Sequence, residues 1–157
     1  MLPHLDAAYT LAHYLLRDGE DARDVTQEAM LRAIRHFDGY RGGDARAWLL
    51  AIVRNTAYSW HRRHRSEDRQ LQFDEELHSE AAGDDHPEAL VIRAADRERL
   101  RRALDQLPPE FREVIVLREL QDLSYKEIAA VIAAPVGTVM SRLARARARL
   151  ERLVGRP

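Results

Sequence analysis

Hydrophobic positions recur with the spacing of an α-helix over residues 139–153. Val139, Leu143, Ala146, Leu150 and Leu153 follow one another at intervals of four, three, four and three residues. This spacing places all of them on one side of a helix, so it predicts a helix with a single buried stripe.

A shorter helix is predicted just before this one. Ser124 is followed three residues later by Glu127, the pattern of a capping box, so a helix should begin there. Pro135 marks its end, because proline disfavours the α conformation of the preceding residue but suits the first turn of a following helix. The sequence therefore predicts two helices joined by a tight turn.

The second of these helices is basic on its polar side. At about 100° per residue, small side chains fall opposite the apolar stripe and arginines lie beside them. These residues are Gly137, Ser141, Ala144, Ala148, Arg145 and Arg152. Small side chains let a helix sit deep in a groove, and arginine can reach phosphates or bond guanine. A solvated bundle helix is the alternative, but the capping box, short turn and basic helix together favour a DNA-binding helix-turn-helix.

The segment 21–37 predicts an amphipathic helix with an acidic outer face. Its predicted buried stripe consists of Ala22, Val25, Ala29, Ala33 and Phe37. The opposite side carries Asp24, Gln27, Glu28 and Leu31. An exposed leucine among acidic and amide groups suggests docking onto a basic helical partner, although a solvated helix would show the same periodicity.

A third helix is predicted after Gly42 and Gly43, with Asp44 as its N-cap. Its predicted core stripe is Leu49, Ile52, Val53, Thr56 and Trp60. A different face carries Ala51, Arg54, Asn55, Tyr58 and Arg62. A cation, an amide and an aromatic ring side by side can hold a phosphate, read a base edge and stack on an unpaired base. Aromatic residues at helical spacing also commonly belong to a core.

Composition narrows the fold class. Aromatic residues are 6% of the 157 residues and β-branched runs are scarce, which indicates an all-α protein. Hydrophobic residues make up 45% of the chain, which is enough to form a core. No segment approaches the roughly 20 uncharged apolar residues of a membrane span. Residues 1–14 lack the features of a signal peptide, so a soluble intracellular protein is expected. The absence of cysteine excludes disulfides, thiolate zinc sites and thiol redox chemistry.

The formal net charge of −1 hides a segregation of charge along the chain. Residues 41–66 carry six basic and one acidic side chains, and residues 124–157 carry seven and two. Residues 67–92, between them, carry one basic and nine acidic side chains. Because basic clusters neutralise phosphates, each basic module is a candidate nucleic-acid surface.

The acidic stretch divides the chain. Helical periodicity is lost over about 20 residues, which is uncommon inside a compact domain. We therefore predict two small helical domains, 1–65 and 88–157, joined by a flexible acidic linker at 66–87. The second domain should contain helices at 88–106 and 111–120, separated by a pair of prolines, before its helix-turn-helix.

Four segments of the chain carry a resemblance to a known family. They read DARDVTQEAMLRA, WLLAIVRNTAYSW, LPPEFREVIVLREL and SYKEIAAVIAAPVGTVMSRLARARARL. In this order they resemble the extracytoplasmic-function sigma factors of bacterial RNA polymerase, and they cover nearly the whole chain outside the linker. The resemblance implies a promoter-melting domain, a linker and a helix-turn-helix domain. It also implies an initiation factor without catalytic residues, metal or cofactor.

The resemblance implies three binding surfaces. Residues that would bind the β′ clamp helices of core polymerase are Asp21, Asp24, Gln27, Glu28, Leu31, Arg32 and Arg35. Those that would hold the −10 element, including a base flipped out of its strand, are Tyr40, Arg41, Trp48, Arg54, Asn55, Tyr58, Arg62 and Arg63. Those that would contact the −35 element are Arg118, Thr138, Ser141, Arg142, Arg145 and Arg149. The polymerase β flap is a further implied contact, and the linker would follow the channel that later carries RNA.

The resemblance also implies an inhibitory partner, and this sequence departs from the usual pattern of the family at two places. Its members are commonly held by an anti-sigma protein, which can keep them at the membrane, so a cytoplasmic protein without membrane insertion is expected. The abrupt start of the sequence suggests that part of the first helix of longer relatives is missing. Met140 stands where relatives often have a basic residue, and methionine cannot hydrogen-bond a base edge or phosphate. The −35 preference therefore cannot be taken from any relative.

Three other functions fit parts of the sequence. A stand-alone helix-turn-helix regulator needs only residues 124–157, but leaves the first domain unexplained. A metal-dependent hydrolase could use His61 and His64, one turn apart, but the nearest acidic residues lie in the linker. A sigma decoy would bind the same partners without supporting transcription. Transcription by core polymerase would distinguish all three from a sigma factor.

Overall fold

The computed structural model describes residues 4–40, 42–64 and 88–155. Arg41 and the predicted linker at 66–87 lie outside these residues. Regular structure within the described ranges is entirely helical and includes no strand, which confirms the predicted all-α class.

Three helices form the first region. They are α1 (Leu5–Leu16), α2 (Gly19–Arg35) and α3 (Ala45–Arg63). Asp18 and Asp44 begin α2 and α3, each accepting two backbone N–H groups with its side chain. Gly42 and Gly43 have φ angles of +82° and +87°, a left-handed conformation that glycine adopts without steric cost. The glycine break therefore lets Asp44 begin α3 as predicted.

The second region contains a helix-turn-helix. Its helices are α4 (Glu88–Gln106), α5 (Pro109–Ile115), α6 (Tyr125–Ile132) and α7 (Val136–Val154), and α5 continues into a π-helical turn at Val116–Leu120. The capping box of α6 is present: the Glu127 N–H donates to Ser124 Oγ at 3.1 Å, and the Ser124 N–H donates to Glu127 Oε1 at 2.8 Å. Ala133 ends α6 with a left-handed φ of 54°, and Pro135 precedes α7. The predicted pair of helices and their tight turn are confirmed.

The length and polarity of the helices indicate whether any of them could cross a membrane. In the described parts of the chain, no single helix is long and apolar enough to cross a membrane. The pair α6 and α7 passes that test together, by length and composition, but is bent by 100° at the turn.

The two regions pack against each other around one apolar core. α6 lies along α3, while α5 and the π-helical turn lie against α1. Leu11 and Leu50 of the first region belong to the same buried cluster as Leu117 and Ile128 of the second. Leu50 is fully buried although it lies outside the stripe predicted for α3. The sequence predicted the two sets of helices but not this contact between them.

Arg112 is buried where α5 meets α4 and α1. Its guanidinium donates to the carbonyl oxygens of Leu104, Asp105 and Leu107 at 2.9, 3.3 and 2.8 Å. It also donates to the carbonyl oxygen of Tyr14 in α1 at 3.4 Å. The last carbonyls of a helix lack partners within it, so Arg112 completes the end of α4. Burial lowers the pKa of Arg112, which nevertheless stays charged at neutral pH.

Candidate nucleic-acid and polymerase surfaces

The apolar stripe of α7 anchors it in the second region and leaves the opposite side exposed. Val139, Leu143 and Ala146 are buried, as the periodicity predicts. Leu153, predicted to continue this stripe, is 40% exposed because it lies at the last turn, beside α4, and is only partly covered. The exposed side carries Gly137, Ser141, Ala144, Arg145 and Ala148. A narrow, small-residue face edged by an arginine is suited to a DNA groove.

The residues predicted to contact a −35 element differ in how they are held. Arg145 is exposed, while Arg142 and Thr138 are half-buried. Ser141 Oγ donates to the carbonyl oxygen of Thr138 at 3.2 Å. Arg118 donates to the carbonyl oxygen of Leu123 at 2.9 Å, and its guanidinium lies 4.7 Å from the centre of the Tyr125 ring. Arg118 is thus oriented by the protein itself.

Two further arginines of α7 are engaged by neighbouring helices. Arg149 lies 5.0 Å from the centre of the Phe111 ring. Arg147, which the sequence did not single out, donates to Glu119 Oε1 at 2.8 and 3.1 Å. The side chain of Arg145, exposed in the middle of α7, has no hydrogen bond, ion pair or ring contact with any residue of the described ranges. Arg145 is therefore the strongest candidate for base contact.

The predicted −10 surface of α3 is only partly open. Asn55 and Arg62 are exposed. Arg54 instead donates from Nε to Glu113 Oε2 at 2.6 Å and from Nη2 to Glu113 Oε1 at 3.1 Å. The Tyr58 hydroxyl donates to the same Glu113 Oε2 at 3.0 Å. Arg54 and Tyr58, predicted to hold the −10 element, are therefore covered by the second region in this structure.

Electrostatics at this contact favour a charged Arg54 and a neutral Tyr58. Burial alone would lower the pKa of Arg54, but hydrogen bonding and the charge of Glu113 reverse this and raise it. Burial, and then the negative charge of Glu113, raise the pKa of Tyr58 well above its ordinary value. The Glu113 carboxylate, itself fully buried, is satisfied by these two side chains.

A cleft of about 620 Å³ opens beside this contact. It lies between α3 and the start of α5, and its lining is Arg54, Asn55, Tyr58, Ser59, His61, Arg62 and Pro109. Predicted −10 residues thus share one cleft with a proline of the second region. Its polar and cationic lining is chemically suited to a nucleic-acid strand.

An aromatic cluster lies at the other end of α3. The ring centres of Tyr40 and Trp48 are 5.2 Å apart, and those of Phe37 and Trp48 are 6.4 Å apart. The Tyr40 hydroxyl donates to the carbonyl oxygen of Gly43 at 2.6 Å. Phe37, predicted to be buried, is 56% exposed, because α2 ends at Arg35 and a 3-10 turn directs the ring toward Trp48. Partly exposed rings of this kind can stack on unpaired bases.

Most of the residues predicted to dock on the polymerase are exposed on the outer face of α2. Asp24, Gln27 and Leu31 are exposed. Glu28 is paired, with Oε1 accepting from Arg32 at 3.1 Å and Oε2 from Arg63 at 3.3 Å. Among the other predicted residues Asp21 is half-buried and Arg35 exposed. Ile34, exposed one turn beyond Leu31, was missed, although its i+3 spacing from Leu31 signals a shared face.

The histidine pair considered for metal binding has a structural contact. The His64 ring stacks on Trp60 with centres 4.1 Å apart, and His64 Nδ1 lies 2.9 Å from the carbonyl oxygen of Trp60. Across the described residues, no group of three or more histidine, cysteine or acidic side chains is arranged to hold a metal ion.

Comparison with known proteins identifies both regions. A family model described as Sigma-70 region 2 matches residues 2–67, and one described as Sigma-70, region 4 matches residues 97–150. The ECF RNA polymerase sigma factor SigE of Mycolicibacterium smegmatis is 37% identical over 147 residues, covering 94% of this chain and 57% of that protein. The ECF RNA polymerase sigma-E factor of Escherichia coli K12 is 40% identical over 141 residues, covering 85% of this chain and 74% of that protein. The chain thus spans little more than half of the mycobacterial relative.

Two solved structures resemble the whole fold. The sigma factor RpoE of Bartonella quintana, in complex with the anti-sigma factor NepR, has a TM-score of 0.75 and 29% identity, covering 98% of this chain and 93% of that one. CnrH, in complex with the cytosolic domain of CnrY, has a TM-score of 0.70 and 26% identity, covering 98% and 84%. The likeness extends over both helical regions.

Proposed function

The chain belongs to the extracytoplasmic-function sigma factors of RNA polymerase, which direct transcription initiation at specific promoters, and we propose that its two regions divide this work. Residues 1–65 dock on core polymerase and hold the −10 element. Residues 88–157 recognise the −35 element, and 66–87 connect the two. The chain is not an enzyme, since phosphodiester chemistry belongs to the polymerase, and it acts in the cytoplasm.

The exposed side of α7 is the observation that carries the proposal. Its small residues allow close approach to the floor of a major groove, while the buried stripe holds the helix rigidly in the second region. Arg145 contacts a base or phosphate, and Arg118 and Arg149 contact the flanking phosphate backbone. A bidentate contact of arginine with guanine contributes about 1–3 kcal/mol of discrimination.

Capture of the −10 element uses α3 together with the aromatic cluster. Asn55 and Arg62 already face solvent. Flipping a base costs a few kcal/mol, and stacking on an aromatic ring such as Trp48 returns about 1–3 kcal/mol per base. Arg54 and Tyr58 can join only after they release Glu113. Full engagement of the −10 element therefore requires the two regions to separate.

Docking on core polymerase uses the outer face of α2. Asp24 and Gln27 offer acidic and amide groups to a basic helical partner, and Leu31 adds an apolar contact. We propose the β′ clamp helices as that partner and the β flap as a contact of the second region. Because one structural neighbour, RpoE of Bartonella quintana, is a sigma factor in complex with an anti-sigma factor, we also propose an anti-sigma partner for this chain.

Run-off transcription with bacterial core polymerase over a random promoter library tests the function directly. The protein should direct initiation from a subset of promoters that share −35 and −10 sequences. Core polymerase alone should give no such enrichment. Binding to duplex DNA without polymerase, and no promoter-specific transcripts, would instead favour a stand-alone regulator.

Asn55→Ala tests the −10 surface. Asn55 is exposed and contributes nothing to the core, so core binding and −35 contacts should persist while promoter opening is impaired. Permanganate reactivity of thymines near the start site should fall, and a premelted template should restore transcription. Gln106→Ala, which removes an exposed amide in the second region, is the matched control. Wild-type melting by Asn55→Ala would exclude Asn55 from the −10 surface.

A further inference from the structure

The first two turns of α7 present an apolar surface to solvent. Met140 and Val136, one turn apart, are 52% and 40% exposed. Gly137 and Ser141 are exposed beside them, and residues 136–141 include no cation. The first arginine of the helix, Arg142, is half-buried. This end of the helix therefore has apolar rather than basic chemistry.

Met140 stands apart from the buried stripe of α7. At about 100° per residue, it lies roughly 60° from the buried Leu143, 100° from the buried Val139 and about 40° from the exposed Ala144, and more than half of its side chain is exposed. Gly137 and Ala144, three residues before it and four after it, are small and exposed. A Cβ atom added at Gly137 would meet nothing within 4 Å. The Met140 side chain therefore stands out from the surface of the helix, because the exposed side chains beside it are small.

Chemistry limits what such a surface can recognise in DNA. The N-terminal residues of a recognition helix meet base edges in the major groove. That groove displays hydrogen-bond donors and acceptors and a single apolar group, the C5 methyl of thymine. Methionine placed against a donor or acceptor would displace water without returning a hydrogen bond, whereas against the methyl it buries apolar area.

We propose that Met140, together with Val136, reads the C5 methyl group of thymine at one or two positions of the −35 element. The inference rests on the proposed function in so far as α7 enters the −35 major groove. Burial of one methyl group corresponds to about a four-fold gain in affinity. An apolar protein partner seated on the same two side chains is the competing explanation.

Deoxyuridine substitution isolates the methyl group. A promoter selected from the library is synthesised with deoxyuridine replacing thymine, one −35 position at a time on either strand. Deoxyuridine keeps every hydrogen-bonding group of thymine and lacks only the methyl. The full chain assembled with core polymerase should bind about four-fold more weakly at one or two substituted positions. The double variant Met140→Ala with Val136→Ala should bind the thymine and deoxyuridine forms of those promoters equally, and Met140→Ala alone should lose the preference at one position at least.

Leu153→Ala is the matched control, since Leu153 is as exposed as Val136 but lies in the last turn of α7. It should keep the preference for thymine. If the wild-type holoenzyme initiates from the promoter but binds every deoxyuridine form equally, the thymine contact is wrong and the proposed function stands. If Met140→Ala weakens assembly with core polymerase and leaves the thymine preference intact, the surface is a protein contact. No initiation from any promoter would overturn the proposed function and this inference with it.

Discussion

Glu113 connects the two helical regions through a contact that one substitution can remove. Glu113→Gln keeps the size and shape of the side chain but removes its charge and one of its two acceptor oxygens. In the structure both oxygens are used, by Arg54 and by Tyr58. We expect the variant to weaken the packing of α3 against the second region and to favour an open arrangement.

The expected size of the effect follows from the bonds at Glu113. Three hydrogen bonds reach it, two from Arg54 and one from Tyr58. A bond to a charged group contributes about 1.5–3 kcal/mol, and the amide offers one acceptor oxygen where the carboxylate offers two, so the exchange loses one such bond and the attraction between the two charges, about 3 kcal/mol in all. Removing one partner of a buried ion pair costs a similar 3–5 kcal/mol or so. The ratio of closed to open molecules should fall by about 100-fold.

Single-molecule energy transfer between the regions measures this ratio. The chain has no cysteine, so Asp38→Cys and Glu151→Cys place one dye on an exposed site in each region. Glu113→Gln should shift the distribution toward longer distances while circular dichroism remains helical. Glu110→Gln, which makes the same change at an exposed position of α5, should behave as wild type.

A double variant provides the second arm of the test. Replacing both partners, Arg54→Met with Glu113→Met, leaves no unpaired charge and should restore much of the closed population. A wild-type distance distribution for Glu113→Gln would refute the assigned role of the ion pair. So would loss of helix content along with the distance change, because Glu113 would then support the second region itself rather than its contact with the first.

Two further predictions concern the interface around α1. Arg112→Met should lower the free energy of unfolding by at least about 3 kcal/mol, because it removes four hydrogen bonds donated by a buried charged group. Urea denaturation checks this, with Arg102→Met as the exposed control, and a loss below about 1 kcal/mol would contradict it. Burial, and then the charge of Arg101, lower the pKa of His13. As pH drops below 6.5, the unfolded chain therefore binds a proton at His13 more readily than the folded chain does, and the free energy of unfolding should fall. His13→Gln should flatten the thermal stability profile between about pH 7 and pH 5, whereas His36→Gln, at an exposed position, should leave its slope unchanged.

Features that depend on neighbouring residues could be predicted from the sequence. The capping box at Ser124 and the N-cap at Asp44 occur where the pattern places them, because each is made by residues within three positions of one another. The bounds of α4 agree for a similar reason, since a proline pair ends it. The buried stripe of α2 agrees through Ala33 and fails at Phe37. There, a 3-10 turn interrupts the periodicity that the prediction extended.

Features that depend on residues far apart in the chain could not be predicted from the sequence. No residue close to Arg54 and Tyr58 in the sequence indicates that another helix packs over their face of α3. Their partner Glu113 lies 59 residues from Arg54. Glu113 itself reads as a surface charge, since glutamate is rarely buried unless paired. Only the packing of α6 along α3 and of α5 on α1 brings the carboxylate to the guanidinium.

Arg112 and Glu113 are adjacent in α5 but have different roles. Arg112 mainly holds the second region together, whereas Glu113 joins the second region to the first. Three of the four bonds of Arg112 remain within the second region, so they survive if the regions separate. Both partners of Glu113 belong to the first region, so separation leaves its buried carboxylate without either of them. Opening therefore costs the contacts of Glu113 in addition to the apolar packing between the regions, and it exposes that carboxylate to water while freeing Arg54 and Tyr58. Because phosphate groups are the anions that promoter DNA supplies to an arginine, DNA can offset part of this cost by replacing Glu113 at the same guanidinium. If Arg54 holds the −10 element as proposed, binding of that element and separation of the regions should be coupled through Arg54.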